Sequence, residues 1–255
     1  MPESESLHRS VQKALQAQPK REVIPLDHAG GRYWIKRARS TGSNLLHHAA
    51  WKLTRLPLLV PVLRQSPSEA LRHESSKLRR LRSTGLPVPE VLECGDDYFV
   101  LEDAGPSMHH ALHEGILPKN EESYGQIFDA LGRLHRSGEY HGGSQLRNFT
   151  WENSTVHYID FEENFAPSIP LDTLQFRDLF LLLFSLAKDR HPIEYAPMIA
   201  RYREQSGNDW AEDRLREFAR SLTPLERLAA FPPAWKLLDK DSKATYRLIQ
   251  ELKKL

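Results

Sequence analysis

The sequence has one cysteine, no long hydrophobic run and almost no net charge. Cys94, alone among 255 residues, excludes an intramolecular disulfide and fits a reducing compartment. The densest apolar stretch, residues 56–63, carries two prolines and is too short to span a bilayer. A formal net charge of +1 predicts no nucleic-acid partner. The first ten residues lack the basic-then-apolar order of a secretory signal, so we expect a cytoplasmic protein.

Charge is unevenly distributed along the chain. Residues 32–82 hold twelve Lys or Arg and two acids, whereas residues 89–129 hold ten acids and one lysine. This split is typical either of two surfaces with different partners or of two solvated faces that pair with each other. For the basic segment 32–82 we predict contact with an anionic glycolipid or with the inner face of the membrane, which would make the protein peripheral there.

The first hundred residues predict a small sheet that carries helices. Two apolar runs flank the turn glycines Gly30 and Gly31 and predict a hairpin. A stripe of leucine and alanine predicts a helix that ends before Pro57, and a second helix is expected from a cap at Ser68 to a stop at Gly85. Two further strands are predicted at residues 86–94 and 98–104.

The remainder of the chain is predicted to be mainly helical. Ile127, Leu131 and Leu134 share one helix face, and residues 180–186 are apolar almost all round, which indicates a buried helix. We therefore predict an α+β fold with two lobes. The N-terminal lobe, residues 1–103, holds a small mixed sheet, and the larger helical lobe comprises residues 104–255.

Polar residues of a phosphoryl-transfer site follow one another in a definite order. Such a site needs a cation on the phosphates, an acid that fixes that cation, and a metal ion held by oxygens. Lys36 ends an apolar strand, and Glu74 lies on the second of the two helices predicted after it. Asn148 in the loop "YHGGSQLRNF" and Asp160 in "YIDFEEN" offer the oxygen ligands that Mg²⁺ prefers.

A second set of predicted contacts lies after the strand "YFV". Leu101, Glu102 and Asp103 are expected at the junction of the lobes, where their backbone groups are predicted to bond the adenine edge of a nucleotide.

In this order of residues the sequence resembles the protein-kinase-like superfamily. Within it the chain is similar to the bacterial lipopolysaccharide kinases that phosphorylate Kdo or heptose, with the Bud32-type kinases close by. The resemblance covers roughly residues 22–190: "YWIKRARS" resembles the lysine strand, residues 69–93 the glutamate helix and its following strand, and "YIDFEEN" the metal-binding motif. "FRDLFLLLFSL" is similar to the Arg-Asp-Leu of a buried supporting helix.

The resemblance implies ATP and Mg²⁺ as cofactors. It implies that Lys36 and Glu74 act on the nucleotide and that Asn148 and Asp160 hold the metal, with Asp160 also counted among the catalytic residues. We expect these four side chains to converge on one cleft.

The chain departs from the family pattern at two places. Gly143 stands where the family has its catalytic aspartate, and no glycine-rich lid precedes Lys36. Gly143 cannot accept a proton or orient a hydroxyl, and general-base help is typically worth about 10²–10⁴-fold in rate. Three substitutes lie nearby: Gln145 to orient an acceptor, His141 to accept a proton, and the carboxylates of Glu162 or Glu163.

Three functions remain open from the sequence. The favoured one is an ATP-dependent phosphotransferase acting on a lipopolysaccharide core sugar or related glycolipid. The alternatives are a pseudokinase that binds nucleotide weakly or not at all, and a Bud32-like protein kinase or ATPase that works with a partner. Fold analogy does not choose among them, and the sequence indicates neither the acceptor nor the oligomeric state.

Overall fold

The computed structural model describes residues 3–43, 45–54, 56–191, 193–223 and 239–255. The chain divides into two compact units, Met1–Pro106 with Thr150–Ile169 and Ser107–Phe149 with Pro170–Leu255. The lobe boundary predicted between residues 103 and 104 does not account for Thr150–Ile169, which belongs to the first unit. Main-chain bonds hold this segment there: the N–H groups of Trp151 and Tyr158 donate to the carbonyls of Pro106 and Pro87, both at 2.9 Å.

The first unit is built on a four-stranded antiparallel sheet in the order β1-β2-β4-β3. Its strands are β1 (Val23–His28), β2 (Gly31–Arg37), β3 (Val91–Cys94) and β4 (Tyr98–Glu102), and a two-stranded sheet pairs β5 (Phe149–Glu152) with β6 (Thr155–Tyr158). The predicted hairpin is β1-β2, although its turn residues are Ala29 and Gly30, because Gly31 already pairs with His28. Both turn residues have positive φ, as a two-residue hairpin turn of this twist requires.

Three helices accompany this sheet: α1 (Glu3–Ala17), α2 (Leu45–Thr54) and α3 (Pro67–Ser83). Helix α1 buries Val11 and Leu15 against Ile24, Ile35 and Val100 of the sheet. The prediction from sequence does not include α1, because the N-terminal segment is mostly polar.

Helix α3 presents an apolar side to the interior of the first unit. Leu71, Leu78 and Leu81 are buried on it. The helix is capped by Ser66, two residues before the predicted cap Ser68. The Ser66 N–H and hydroxyl both donate to the Glu69 carboxylate, at 2.8 and 2.7 Å, and this contact sets the earlier start.

Helix α2 differs from its prediction. It ends at Thr54, and Leu53, a member of the predicted apolar stripe, is 87% exposed. The side chains of Leu45, Leu46 and Ala50 lie outside the described residues. Among the residues that the structure describes, no helix has both the length and the apolar character needed to cross a bilayer.

The second unit is mainly helical. Within the described residues its helices are α4 (Met108–His113), α5 (Glu121–Arg136), α6 (Leu171–Lys188), α7 (Tyr195–Ser206), α8 (Ala211–Ser221) and α9 (Lys240–Leu252). Helix α5 packs against α7, and α6 packs against α9. Ile127, Leu131 and Leu134 of α5 are fully buried, and α6 is buried over most of its length, both as predicted. The α+β class predicted from the sequence is confirmed.

Candidate active site

Lys36 lies between two carboxylates in the first unit. Strand β2 carries Lys36, helix α3 carries Glu74, and Asp160 follows strand β6. The Lys36 ammonium donates to Glu74 Oε1 at 2.7 Å and to Asp160 Oδ1 at 2.6 Å. The side chains are 14%, 4% and 33% exposed, respectively, so the cluster opens to solvent on the Asp160 side. The structure thus brings three of the predicted site residues into direct contact.

The environment of the cluster decides its charge state. Burial acts to lower the pKa of Lys36, but the charges of Glu74 and Asp160 outweigh it, so the pKa is raised and the ammonium stays charged. Burial raises the pKa of Glu74, and the ammonium of Lys36 opposes that rise. The ionised form of the Glu74 carboxyl is therefore stabilised by the neighbouring ammonium of Lys36.

The backbone around Asp160 is fixed by its neighbour. Asp160 has φ 67°, in the left-handed region that aspartate tolerates better than most residues. Phe161 is fully buried and packs edge-on against Tyr158, with ring centroids 6.4 Å apart. Because Phe161 anchors the turn in the interior of the first unit, the Asp160 side chain is directed toward Lys36. In the Asp-Phe pair, Phe161 thus packs in the interior and Asp160 places its charge beside Lys36.

Glu162 adds a third carboxylate that the sequence only weakly indicated. Its Oε2 lies 3.8 Å from the Lys36 ammonium, and it accepts from both Nε and an amino group of Arg39. Arg39 also contacts Glu22 at 3.2 Å. One oxygen from each of Glu74, Asp160 and Glu162 lies within 4.8 Å of the others, which is a spacing that could hold a metal ion. Arg39, three residues after Lys36 in the chain, was the sequence feature that could have indicated this third carboxylate.

The predicted adenine-contacting residues lie at the end of β4. The N–H groups of Glu102 and Asp103 already donate to the carbonyls of Glu90 and Arg32, both at 3.1 Å. The Asp103 carboxylate accepts from Trp34 Nε1 at 2.5 Å, and that of Glu102 from Arg82 at 2.8 Å. Leu101 is paired with Trp34 in the sheet. Adenine binding by these residues stays a prediction. Because the N–H groups of Glu102 and Asp103 already donate within the chain, adenine would have to bond to other backbone groups.

In the second unit, Asp178 of α6 holds the loop "YHGGSQLRNF". Its carboxylate accepts the N–H groups of His141 at 2.6 Å and Gly142 at 2.9 Å, and Arg177 donates to the Gly142 carbonyl. Asp178 is fully buried, which acts to raise its pKa, but the hydrogen bond and charge of His135 lower it overall. This is the Arg-Asp pair of the buried supporting helix, and it shapes the loop through backbone groups.

Within this loop the predicted residues have different surroundings. His141 is fully buried, and its Nδ1 accepts from the Gly143 N–H at 3.3 Å, which disfavours it as a proton acceptor for a substrate. The Gln145 side chain is half-buried and makes no hydrogen bond within the described parts of the chain. Asn148 is buried, and its Nδ2 donates to the Gly143 carbonyl at 2.7 Å, which leaves Oδ1 as the oxygen for a metal.

Gly143 itself does not need to be glycine for its backbone conformation. Gly142 has φ 101°, whereas Gly143 is outside the positive-φ region. The Gly143 carbonyl accepts from the Gln145 N–H as well as from Asn148, both at 2.7 Å. An aspartate side chain is therefore compatible with the backbone here. Its absence is a chemical change rather than a conformational one.

Comparison with known proteins gives distant relatives. No protein-family model matches the chain. An uncharacterized protein of Haemophilus influenzae is 26% identical over 170 residues, which are 66% of this chain and 63% of that protein. A probable bifunctional tRNA threonylcarbamoyladenosine biosynthesis protein of Methanocorpusculum labreanum is 30% identical over 95 residues, 37% of this chain and 17% of that protein. The chain thus spans less than two thirds of the length of these relatives.

Two solved structures are similar at low identity. The structure described as WaaP in complex with acyl carrier protein aligns over 86% of this chain and 87% of that chain, with 17% identity and a TM-score of 0.49. The structure of vaccinia related kinase 3 aligns over 55% of this chain and 43% of that chain, with 18% identity and a TM-score of 0.29. Likenesses this distant carry no statement about activity. With a strand lysine bonded to a helix glutamate and to the aspartate of an Asp-Phe motif, the chain resembles the protein-kinase-like superfamily, as its sequence predicted.

Proposed function

We propose that this chain is a phosphotransferase that uses ATP and Mg²⁺. The observation that carries the proposal is the pairing of Lys36 with buried Glu74 and with Asp160. A lysine that is fixed by one buried acid is suited to bind phosphate. The second, more exposed acid is suited to bind the metal ion. A purely structural ion pair does not require the second carboxylate.

The oxygen donors suit the metal. Asp160, Glu162 and Asn148 Oδ1 are hard ligands of the kind that Mg²⁺ prefers, and we assign Asp160 and Asn148 to it. When bound, Mg²⁺ would neutralise charge on the phosphate oxygens. Convergence of Asn148 with Asp160 on one cleft is part of this proposal.

Lys36 has a specific task in this scheme. Its ammonium bonds Asp160 and Glu74 at nearly equal distances, yet only Asp160 is substantially exposed. A bound phosphate can therefore replace the Asp160 contact, while Glu74, buried on α3, keeps the ammonium in place. The exchange frees the Asp160 oxygen for a cation.

The missing acid is the weakest part of the site. With Gly143 in its place, we assign the orientation of the acceptor to Gln145, whose side chain is unengaged within the described residues. Loss of general-base help lowers the rate by about 10²–10⁴-fold, but positioning and charge stabilisation carry most of phosphoryl transfer. A slow enzyme is therefore the expectation.

For the acceptor we propose a lipopolysaccharide core sugar or a related glycolipid. The basic segment 32–82 supports this choice, because Lys and Arg side chains attract an anionic lipid surface. A Bud32-like protein kinase or ATPase is the alternative within the same chemistry, and a protein acceptor would distinguish it.

A pseudokinase is the second candidate function, and Gly143 is the observation that favours it. In that case the Lys36–Asp160 contact would be the resting arrangement of a site that no longer transfers phosphate.

Two measurements test the proposal. Thermal unfolding with ATP, with and without Mg²⁺, reports binding, since a ligand at about 100 times its Kd stabilises the fold by about 2.7 kcal/mol. Phosphate transfer from labelled ATP to a bacterial lipid extract, and in parallel to protein and water, reports activity and acceptor class together. Mg²⁺-dependent binding without transfer to any acceptor would favour the pseudokinase, and absence of binding at millimolar ATP would refute the proposal.

A further inference from the structure

A cluster of two histidines and an aspartate lies in the second unit and shares no residue with the loop around Gly143. His109 is on helix α4, Asp189 caps the end of α6, and His191 follows two residues later. One ligand atom from each lies within 4.8 Å of the others. His109 Nδ1 and Asp189 Oδ2 are 3.2 Å apart.

The chain turn after α6 brings Asp189 and His191 to this position. The His191 N–H donates to the Leu186 carbonyl at 3.1 Å, and the intervening Arg190 has φ 56°, a left-handed conformation. This turn ends the helix, as the Schellman and related motifs do. The turn thereby holds the side chains of Asp189 and His191 close to each other.

An ion pair alone accounts for His109 and Asp189 but not for His191. His191 Nδ1 is 2.9 Å from the Tyr124 hydroxyl, whereas its Nε2 is buried and has no hydrogen-bond partner among the described residues. A buried polar atom without a partner usually contacts an ion or a water. With Nδ1 donating to the Tyr124 oxygen, Nε2 carries the lone pair.

We propose that His109, Asp189 and His191 bind a divalent transition-metal ion, with Zn²⁺ as the best match. Two imidazole nitrogens, which are borderline ligands, and one carboxylate form a set that suits Zn²⁺ better than Mg²⁺. Zinc bonds of about 2.0 Å in a tetrahedron place neighbouring ligand atoms about 3.3 Å apart, close to the distance between His109 and Asp189. Tyr124 supplies the outer hydrogen bond that orients a metal-binding imidazole.

The ion would join elements that are distant in sequence. Helix α4 has six residues, too few to be stable alone, and the metal would tie it to the end of α6 and, through Tyr124, to α5. His109 is 46% exposed and Asp189 27%, so water can complete the coordination shell. The role is structural and does not depend on nucleotide chemistry.

Competition for Zn²⁺ against a chromogenic chelator, using the full chain, tests the site. We expect wild type to bind one ion, with affinity lowered at least about 100-fold in His109→Ala and His191→Ala and about 10- to 100-fold in Tyr124→Phe. His110→Ala is the matched control, because it removes an exposed histidine from the same helix and should bind as wild type does. Equal affinity in wild type and in both ligand variants would overturn the proposal.

Two further measurements locate the ion and check the fold of the variants. Co²⁺ in place of Zn²⁺ should give visible absorption bands that His109→Ala abolishes, and Asp160→Ala should leave them unchanged. If Asp160→Ala removes the ion and His109→Ala does not, the metal binds at the acidic cluster around Lys36 and the proposal is wrong. If His191→Ala does not fold, as judged by circular dichroism, the exposed His109 variant decides the question by itself.

Discussion

Replacing Lys36 by methionine removes the positive end of the buried ion pair and keeps a long side chain. Glu74, 4% exposed, would lose the ammonium that lies 2.7 Å from its Oε1. Breaking a buried pair from one side typically costs about 3–5 kcal/mol, because it leaves an uncompensated charge. Asp160 is 33% exposed, so water can solvate its carboxylate. We therefore expect nearly the whole penalty in the free energy of unfolding to come from Glu74.

The penalty should depend on pH in a defined direction. Burial already raises the pKa of Glu74, and Lys36 opposes that rise, so the variant raises the pKa further. A group with a raised folded-state pKa binds more protons in the folded state than in the unfolded state. Stability then falls as pH rises from the unfolded pKa, about 4.3, through the folded pKa. The deficit of Lys36→Met relative to wild type should be smaller at pH 5 than at pH 8.

Urea unfolding at both pH values measures this deficit. Lys36→Met with Glu74→Gln should recover most of the loss, because no buried charge remains. Arg32→Met, on an exposed position of the same strand, is the control and should change stability by no more than about 0.5 kcal/mol. A Lys36→Met deficit below about 1 kcal/mol, or one that is equal at both pH values, would refute the reasoning.

Three further predictions concern the metal, the loop and the missing acid. Asp160→Ala should abolish the Mg²⁺-dependent part of any thermal shift by ATP, since it removes the charged ligand. Asp178→Asn should lower the free energy of unfolding by about 1–3 kcal/mol at pH 7, because one loop N–H loses its acceptor. Since the folded-state pKa of Asp178 is lowered, wild type should lose this advantage in urea unfolding as pH falls below about 4. Gln145→Ala should lower labelled phosphate transfer at least tenfold, about 1.4 kcal/mol of barrier, and Gly143→Asp should raise it; transfer by Gly143→Asp but not by wild type would identify a pseudokinase.

Much of the first unit could be predicted because its signals are local. Lys36 ends an apolar strand and Glu74 lies on a predicted helix after it, so the order of residues indicated that the two could pair. The burial of Glu74 beside three leucines of α3 is a finding of the structure. Helix α1 also carried a signal, since Leu7, Val11 and Leu15 recur every four residues, but the polar residues between them obscured it. A helix of this composition gains its stability from packing on the sheet, which the sequence pattern does not display.

The surroundings of the site could not be predicted, because they depend on residues distant in sequence. The Asp178 carboxylate accepts from N–H groups more than thirty residues earlier in the chain, and Arg39 meets Glu162 across 123 positions. Side-chain pairing of exposed charges has no periodicity. The cap of α3 was misplaced for a different reason: Ser66 and Ser68 are both acceptable caps, and only the Glu69 contact distinguishes them.

The loop around Gly143 is held by hydrogen bonds that do not involve a side chain at position 143. Asp178 fixes the backbone of His141 and Gly142, and the Gly143 carbonyl, rather than its side chain, holds Asn148. The orientation of the proposed metal ligand is thus independent of the missing carboxylate. A substitution at this position could remove general-base help and leave metal and phosphate binding in place. That separation favours a slow phosphotransferase over a chain that has lost nucleotide chemistry, because Lys36, Glu74 and Asp160 still form one bonded cluster.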